Sequence, residues 1–184
     1  LVNNAGWWAA RIFTNSDFDF DPGYVKEEIY PCTDLSIEKQ DTSWCADPDF
    51  ENKYNSYGFR GDEFQEQKHD IDFRIFAVGG STTYGSGVTD DETWPAYLQQ
   101  IINEKITGKK IEVINAGMPG GDTNDEYSLI EDKIISLNPD LIIMFDGWND
   151  FAHSIQIEKT IQNWKSFCKL GKNEGFDTII IVQP

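Results

Sequence analysis

The chain has 184 residues, enough for one domain with a real core. Its 32 acidic residues outnumber 15 basic ones, for a net charge of −17 and a pI of about 4.3. No basic surface is left to meet phosphates, which disfavours nucleic acid and anionic membranes as partners, and no apolar stretch is long enough to span a bilayer.

The sequence opens on Leu1 rather than Met, as it would after removal of a signal peptide or anchor, or in an incomplete chain. Cys32 and Cys45 lie close together in a polar stretch, so a Cys32–Cys45 disulfide and an extracytoplasmic or secreted protein are expected. Cys168, on an apolar helical face, is expected to be core packing. Residues 1–70 lack clean periodicity but are rich in Asp, Asn and aromatics, too aromatic for simple disorder. They are expected to form an irregular arm packed on the core through Trp7, Trp8, Phe18, Phe20 and Trp44. Within the arm, Asp17, Asp19, Asp21 and Glu28 approach the spacing of a calcium loop, but Pro22 occupies the place of the turn glycine. An extended strand with Phe inward and Asp outward fits that segment better. Asn55-Ser56-Tyr57-Gly58-Phe59-Arg60-Gly61 reads as two successive turns.

From residue 71 onward the pattern alternates strand and helix, the signature of βαβ units on a parallel sheet. The spacing predicts a strand over Phe73–Val78, then a helix from Thr93 with Pro95 in its first turn and Trp94, Leu98, Ile101, Ile102 and Ile106 inward. A second strand, Ile111–Asn115, precedes a helix capped by Thr123 and Glu126, with Tyr127, Ile130, Ile134 and Leu137 on its apolar face. A third strand, Leu141–Phe145, leads to a helix over Ile155–Lys172 that buries Ile157, Ile161, Trp164 and Phe167. A fourth strand, Thr178–Val182, closes the sequence.

The glycine turn after the first strand, Gly79-Gly80-Ser81-Thr82-Thr83, admits several readings. Gly80 and Gly85 have Walker spacing, but Ser86 and Gly87 replace the Lys and Ser/Thr that phosphate requires. No G-x-G-x-x-G is present, and Thr83 breaks a G-x-S-x-G elbow. A nucleophilic serine, or a turn that merely joins strand to helix, remains. Ser81, Gly117 and Asn149 each follow a parallel strand by a few residues, so they can converge on one rim of the sheet. Acyl transfer needs such parts: a serine oxygen, and N–H donors for the oxyanion of the tetrahedral intermediate. The plainer reading of Asn149 is a turn cap, and of Gly117 a left-handed turn.

Three segments carry a family resemblance: Val78-Gly79-Gly80-Ser81-Thr82-Thr83-Tyr84-Gly85, Val113-Ile114-Asn115-Ala116-Gly117-Met118-Pro119-Gly120, and Asp140 through Asp150. In that order, each after a strand, they resemble the blocks of SGNH (GDSL-type) hydrolases, and the lead-in 55–61 resembles segments that precede the first block in some members. The resemblance implies a flavodoxin-like α/β three-layer sandwich with a parallel sheet of order 2-1-3-4, the fifth strand missing. It implies Ser81 as nucleophile, with an oxyanion hole of the Ser81 N–H, the Gly117 N–H and the Asn149 side chain. It implies hydrolysis of a small acyl ester, such as an acetylated glycan or a lipid ester, with no cofactor. Gly80 stands where the GDSL form has Asp.

The family's Asp-x-x-His base motif follows the fifth strand and has no counterpart here. The resemblance therefore implies either a segment beyond Pro184 or a partner chain that completes the sheet, leaving the fourth strand as an open edge without it. Of two histidines, His69 precedes the first strand and is expected at the opposite rim. His153, in Asp150-Phe151-Ala152-His153, is on the correct rim but in the wrong connection. A serine without a base is a weak nucleophile, so a second reading is a non-catalytic binding or assembly module of the same fold.

Overall fold

The structure, a computed structural model, describes the backbone of Arg11–Thr14 and residues 53–182 in full. Cys32, Cys45, Asp17, Asp19, Asp21, Glu28 and the aromatic arm residues Trp7, Trp8, Phe18, Phe20 and Trp44 lie outside the described residues. Five strands form one sheet: β1 (Arg11–Thr14), β2 (Phe73–Gly79), β3 (Ile111–Gly117), β4 (Leu141–Asp146) and β5 (Asp177–Val182). Their order is β1-β5-β4-β2-β3. The last four are mutually parallel, and the expected order 2-1-3-4 holds for them. β2 is buried along nearly its whole length, as expected of a central parallel strand covered on both faces.

The last strand is not an open edge. β1 pairs with it antiparallel, Arg11 opposite Val182 through Thr14 opposite Ile179. Part of the arm expected to be irregular is thus a regular strand. At the other edge, Gln99 of α2 (Trp94–Lys105) stands in for a missing strand. Its amide donates to Ile111 O at 2.9 Å and accepts from Val113 N–H at 2.7 Å, which satisfies backbone groups an edge leaves unpaired.

The other helices are α1 (Ser81–Tyr84), α3 (Thr123–Leu129, running on through a π turn and a 3-10 turn to Leu137), α4 (Trp148–Ala152) and α5 (Ile157–Glu174). The core joins Phe76, Val78, Ile142, Met144 and Ile180 of the sheet to Ile130 and Ile134 after α3 and to Phe167 and Cys168 of α5. Cys168 is fully buried and accepts from Thr178 Oγ1, in keeping with core packing.

Three sequence expectations are corrected here. Ile101 of α2, Ile106 just past its end, and Ile157 and Ile161 of α5 are exposed although their spacing is helical and apolar. The buried stripe of α5 begins instead with the polar residues Thr160 and Asn163. The cap of α3 is Asp122 with Asp125, each accepting from the other's backbone N–H, one residue before the expected Thr123 and Glu126. That shift sends Glu126 into the interior.

Candidate active site

Register brings the strand ends level. Gly79 at the end of β2 lies opposite Gly117 of β3 and Phe145 of β4, and Phe145 lies opposite Ile181 of β5. Met118 N–H donates to Gly79 O at 2.8 Å, tying the first two turns together. Ser81 opens the single turn of α1, half buried, two residues beyond the end of β2. It borders an open depression of about 580 Å³ walled by Val88, Trp94, Phe145 and Ile181. A second cavity of about 450 Å³, between the lead-in segment, α2 and β3, holds none of the rim residues.

Asn149, in the first turn of α4, reaches across the rim. Its Nδ2 donates to Gly121 O at 2.6 Å. The same nitrogen lies 2.3 Å from where a Cβ on Gly80 would stand. Asn149 therefore touches the peptide that carries Ser81 and the turn that follows β3. This contact accounts for glycine at position 80: a side chain there would displace the amide.

The Gly117 amide is engaged by a neighbouring side chain. Its N–H donates to Asn115 Oδ1 at 3.0 Å. A Cβ on it would lie 2.1 Å from Tyr84 N, against the backbone at the far end of α1. The glycine beside Asn149 is Gly121, which closes a turn of type II: Gly121 N–H donates to Met118 O, with Pro119 second and Gly120 third at φ 79. The sequence signal was the Pro-Gly-Gly step, which marks such a turn.

His153 is tied to Asp122, its Nδ1 being 3.1 Å from Asp122 Oδ2. No hydrogen bond joins Ser81 to either histidine. His69, exposed before β2, lies at the opposite end of the strand from Ser81, as expected.

Beneath Asn149 lies a set of buried acids that sequence reasoning missed. Asp150 accepts from Thr123 N–H at 3.0 Å, Thr123 Oγ1 at 2.6 Å and Thr160 Oγ1 at 2.7 Å. It thereby locks α4 to the start of α3 and to α5. Burial, then repulsion from Asp150, pushes Asp146 up to about 7, against the hydrogen bonds it accepts from Gly147 and Trp164. Glu126 is fully buried with neither carboxyl oxygen hydrogen-bonded. Burial first, then the charges of Asp146 and Asp150, holds it well above the ordinary carboxylate range. Among the described residues, no three acids, histidines or cysteines meet as a metal site, and no helix is long and apolar enough to cross a membrane.

The α/β sheet thus carries a serine, an asparagine and a glycine turn on the C-terminal rim of its parallel strands. The model of the GDSL-like Lipase/Acylhydrolase family matches residues 77–182, more than half of the sequence, and the chain belongs to that family. The fold is similar to a protein described as lipolytic, of the G-D-S-L family, from Desulfitobacterium hafniense DCB-2. The two share 25% identity at a TM-score of 0.51, over 57% of this chain and 56% of that one. A variant of the esterase AlinE4 matches with 25% identity and a TM-score of 0.51, over 56% of this chain and 55% of its own. TesA, at 22% identity and a TM-score of 0.52 over 56% of each chain, shares the fold. The chain thus spans a little over half the length of these solved structures. No curated protein matches it.

Proposed function

We propose that the complete protein is a serine esterase in which Ser81 Oγ attacks the acyl carbon of a small ester. The observation that carries this reading is the Asn149 amide, which bridges the turn before Ser81 and the turn after β3. An amide there can donate to an oxyanion formed beside Ser81. The Ser81 N–H, at the start of α1 where amides have no helical partner, is the second donor. Gly117 supplies a third N–H when Asn115 Oδ1 releases it. As the C–O bond to Ser81 forms, the serine proton passes to a base. The alcohol then leaves with a proton, and water hydrolyses the acyl enzyme.

The apolar walls of the depression beside Ser81 suit an uncharged acyl group, and the net charge of −17 disfavours anionic esters. Both an acetylated glycan and a neutral lipid ester meet these terms. Of the two histidines only His153 is on the rim, with its Nδ1 against Asp122 Oδ2, and no hydrogen bond joins it to Ser81. We assign the base to a histidine other than His153 or His69, supplied from outside the described residues. No cofactor enters the reaction.

A fluorophosphonate, which labels an activated serine, tests this directly. The complete protein should gain one adduct, at Ser81. Ser81→Ala should abolish both labelling and ester hydrolysis with an unchanged melting temperature. His153→Ala should leave the labelling rate within about twofold; loss of about a hundredfold or more would make His153 the base. Absence of any adduct on the intact wild type would favour a binding or assembly module of this fold.

A further inference from the structure

The lead-in segment before β2 lies outside the stretch that the family model matches, and it holds a buried cation aimed at the serine's helix. The Arg60 side chain is 1% exposed. Its Nη1 donates to Tyr84 O at 2.9 Å and Gly85 O at 2.7 Å, its Nη2 to Val88 O at 2.6 Å, and its Nε to Asp90 Oδ1 at 2.6 Å. The guanidinium also lies over the Tyr84 ring, 4.9 Å from its centroid. Every one of these partners lies in the ten residues that follow Ser81 or in the turn they lead to.

The arrangement has a mechanical consequence. α1 is a single turn, ~6 Å long at ~1.5 Å per residue, so a shift at its end moves Ser81 with it. It is flanked by glycines on both sides: Gly79 and Gly80 before it, and Gly85 and Gly87, at φ 87 and 83, after it. Such a unit is free to swing unless its far end is fixed. Asn115 Nδ2 makes one tie, to Tyr84 O at 3.2 Å. Arg60 makes three more to backbone carbonyls, in the fork geometry that only a guanidinium offers.

Arg60 is itself held. The lead-in bridges β3 at Arg60 and Asn115. Asn55 Oδ1 accepts from Tyr57 and Phe59 N–H at 3.1 Å, and Phe59 is 3% exposed, packed on Phe76 in the core. At the opposite end of the sheet, buried Arg74 donates to the carbonyls of Gln65 and Glu66. The segment is pinned at both ends.

We infer that Arg60 is a positioning residue for the nucleophile: the lead-in segment serves as a clamp that fixes α1, and with it Ser81, through the carbonyls of Tyr84, Gly85 and Val88. The catalytic consequence rests on the esterase reading given above; the mechanical one does not. A misplacement of about 1 Å in a reacting group can lower a rate by about a hundredfold, so the clamp should act on turnover rather than on substrate binding.

The test compares the full-length wild type with Arg60→Lys, which keeps the charge but loses the fork, and with Asp90→Asn, which removes the charge of one partner and leaves Arg60 in place. Amide hydrogen exchange and fluorophosphonate labelling are read together. In Arg60→Lys, exchange should rise more than tenfold at 81–88 alone, with the amides of β2 and β4 unchanged. Labelling and kcat should fall about 10- to 100-fold with KM within about twofold. Asp90→Asn should show the same pattern at smaller amplitude, and it decides the matter if Arg60→Lys does not fold. Uniform loss of protection, no change at 81–88, or raised exchange there with unchanged labelling would overturn the inference. If the wild type takes no adduct, the esterase reading fails by itself, and exchange at 81–88 decides whether Arg60 is a clamp.

Discussion

Two turns meet at the rim, and they are held in opposite ways. The turn after β2 is fixed by contact and by a cation: backbone packs on backbone at Gly117, and Arg60 takes the carbonyls beyond Ser81. The turn after β4 sits on buried acids, with Asp146, Asp150 and Glu126 in the interior beneath Asn149. The first arrangement tolerates no added atom but is indifferent to pH. The second carries electrostatic strain that pH can set. Ser81 and Asn149 are thus positioned by independent physics, and substitutions should separate them.

The largest effect belongs to the packed turn. A Cβ at Gly117 would lie 2.1 Å from Tyr84 N and 2.6 Å from Thr83 C. Both are backbone, so neither can swing away. Gly117→Ala should destabilise by about 4 kcal/mol or more, or fail to fold. Urea unfolding with an unchanged midpoint would show that β3 and α1 are not in contact as described.

Next comes the satisfied acid. Asp150 accepts three hydrogen bonds at 2% exposure. In Asp150→Asn an NH₂ faces at least one donor, which should cost about 2–3 kcal/mol. Relief of the repulsion that raises Asp146 offsets part of this above neutral pH. The loss should therefore be greater at pH 5 than at pH 8; a pH-independent loss would show that the acids do not interact.

The contrast also explains what could be read in advance. Strand order, rim and the three glycine turns rest on local signals: apolar runs bounded by glycine, and parallel crossovers that send every strand end the same way. Arg60 left no such signal, since its partners lie 24 to 30 residues away and three of the four are backbone carbonyls that any sequence supplies. Glu126 was misread because Asp122 and Thr123 are both good caps, and a one-residue shift turns a capping residue inward. Ile101, Ile157 and Ile161 follow helical period yet are exposed, because periodicity marks a stripe without saying how far the partner surface extends. On α5 that inward stripe goes instead to Thr160 and Asn163, which serve Asp150 and Thr123.

Glu126→Gln should have a smaller effect, of opposite sign. The folded chain holds this carboxyl protonated above its ordinary range, so the native state binds more protons than the unfolded one. Stability must then fall as pH rises from the unfolded value, near 4.5, toward the raised folded value. Asp146 adds a fall of the same sign between about 4 and about 7. Glutamine is neutral in both states and removes the Glu126 share. The variant should melt higher than wild type at pH 8, with the difference vanishing near pH 4. A variant less stable at pH 8 would mean that Glu126 is ionised and held by partners.

Gly80→Ala should change stability least and discriminates best. Position 80 has φ −77, which alanine adopts without strain, and the atom it would meet is the tip of a movable side chain, Asn149 Nδ2 at 2.3 Å. Rotation of that amide relieves the overlap for about 0.5–1 kcal/mol. The rotation breaks the bond to Gly121 O and takes the donor away from Ser81. On the esterase reading proposed above, labelling and hydrolysis should fall about a hundredfold, the usual effect of losing one oxyanion donor, while the midpoint of unfolding barely moves. Asn149→Ala should reproduce the loss, and the double variant should add nothing to it, because both substitutions act through one amide. Additive losses would mean that Gly80 is kept small for the substrate itself and that Asn149 acts elsewhere.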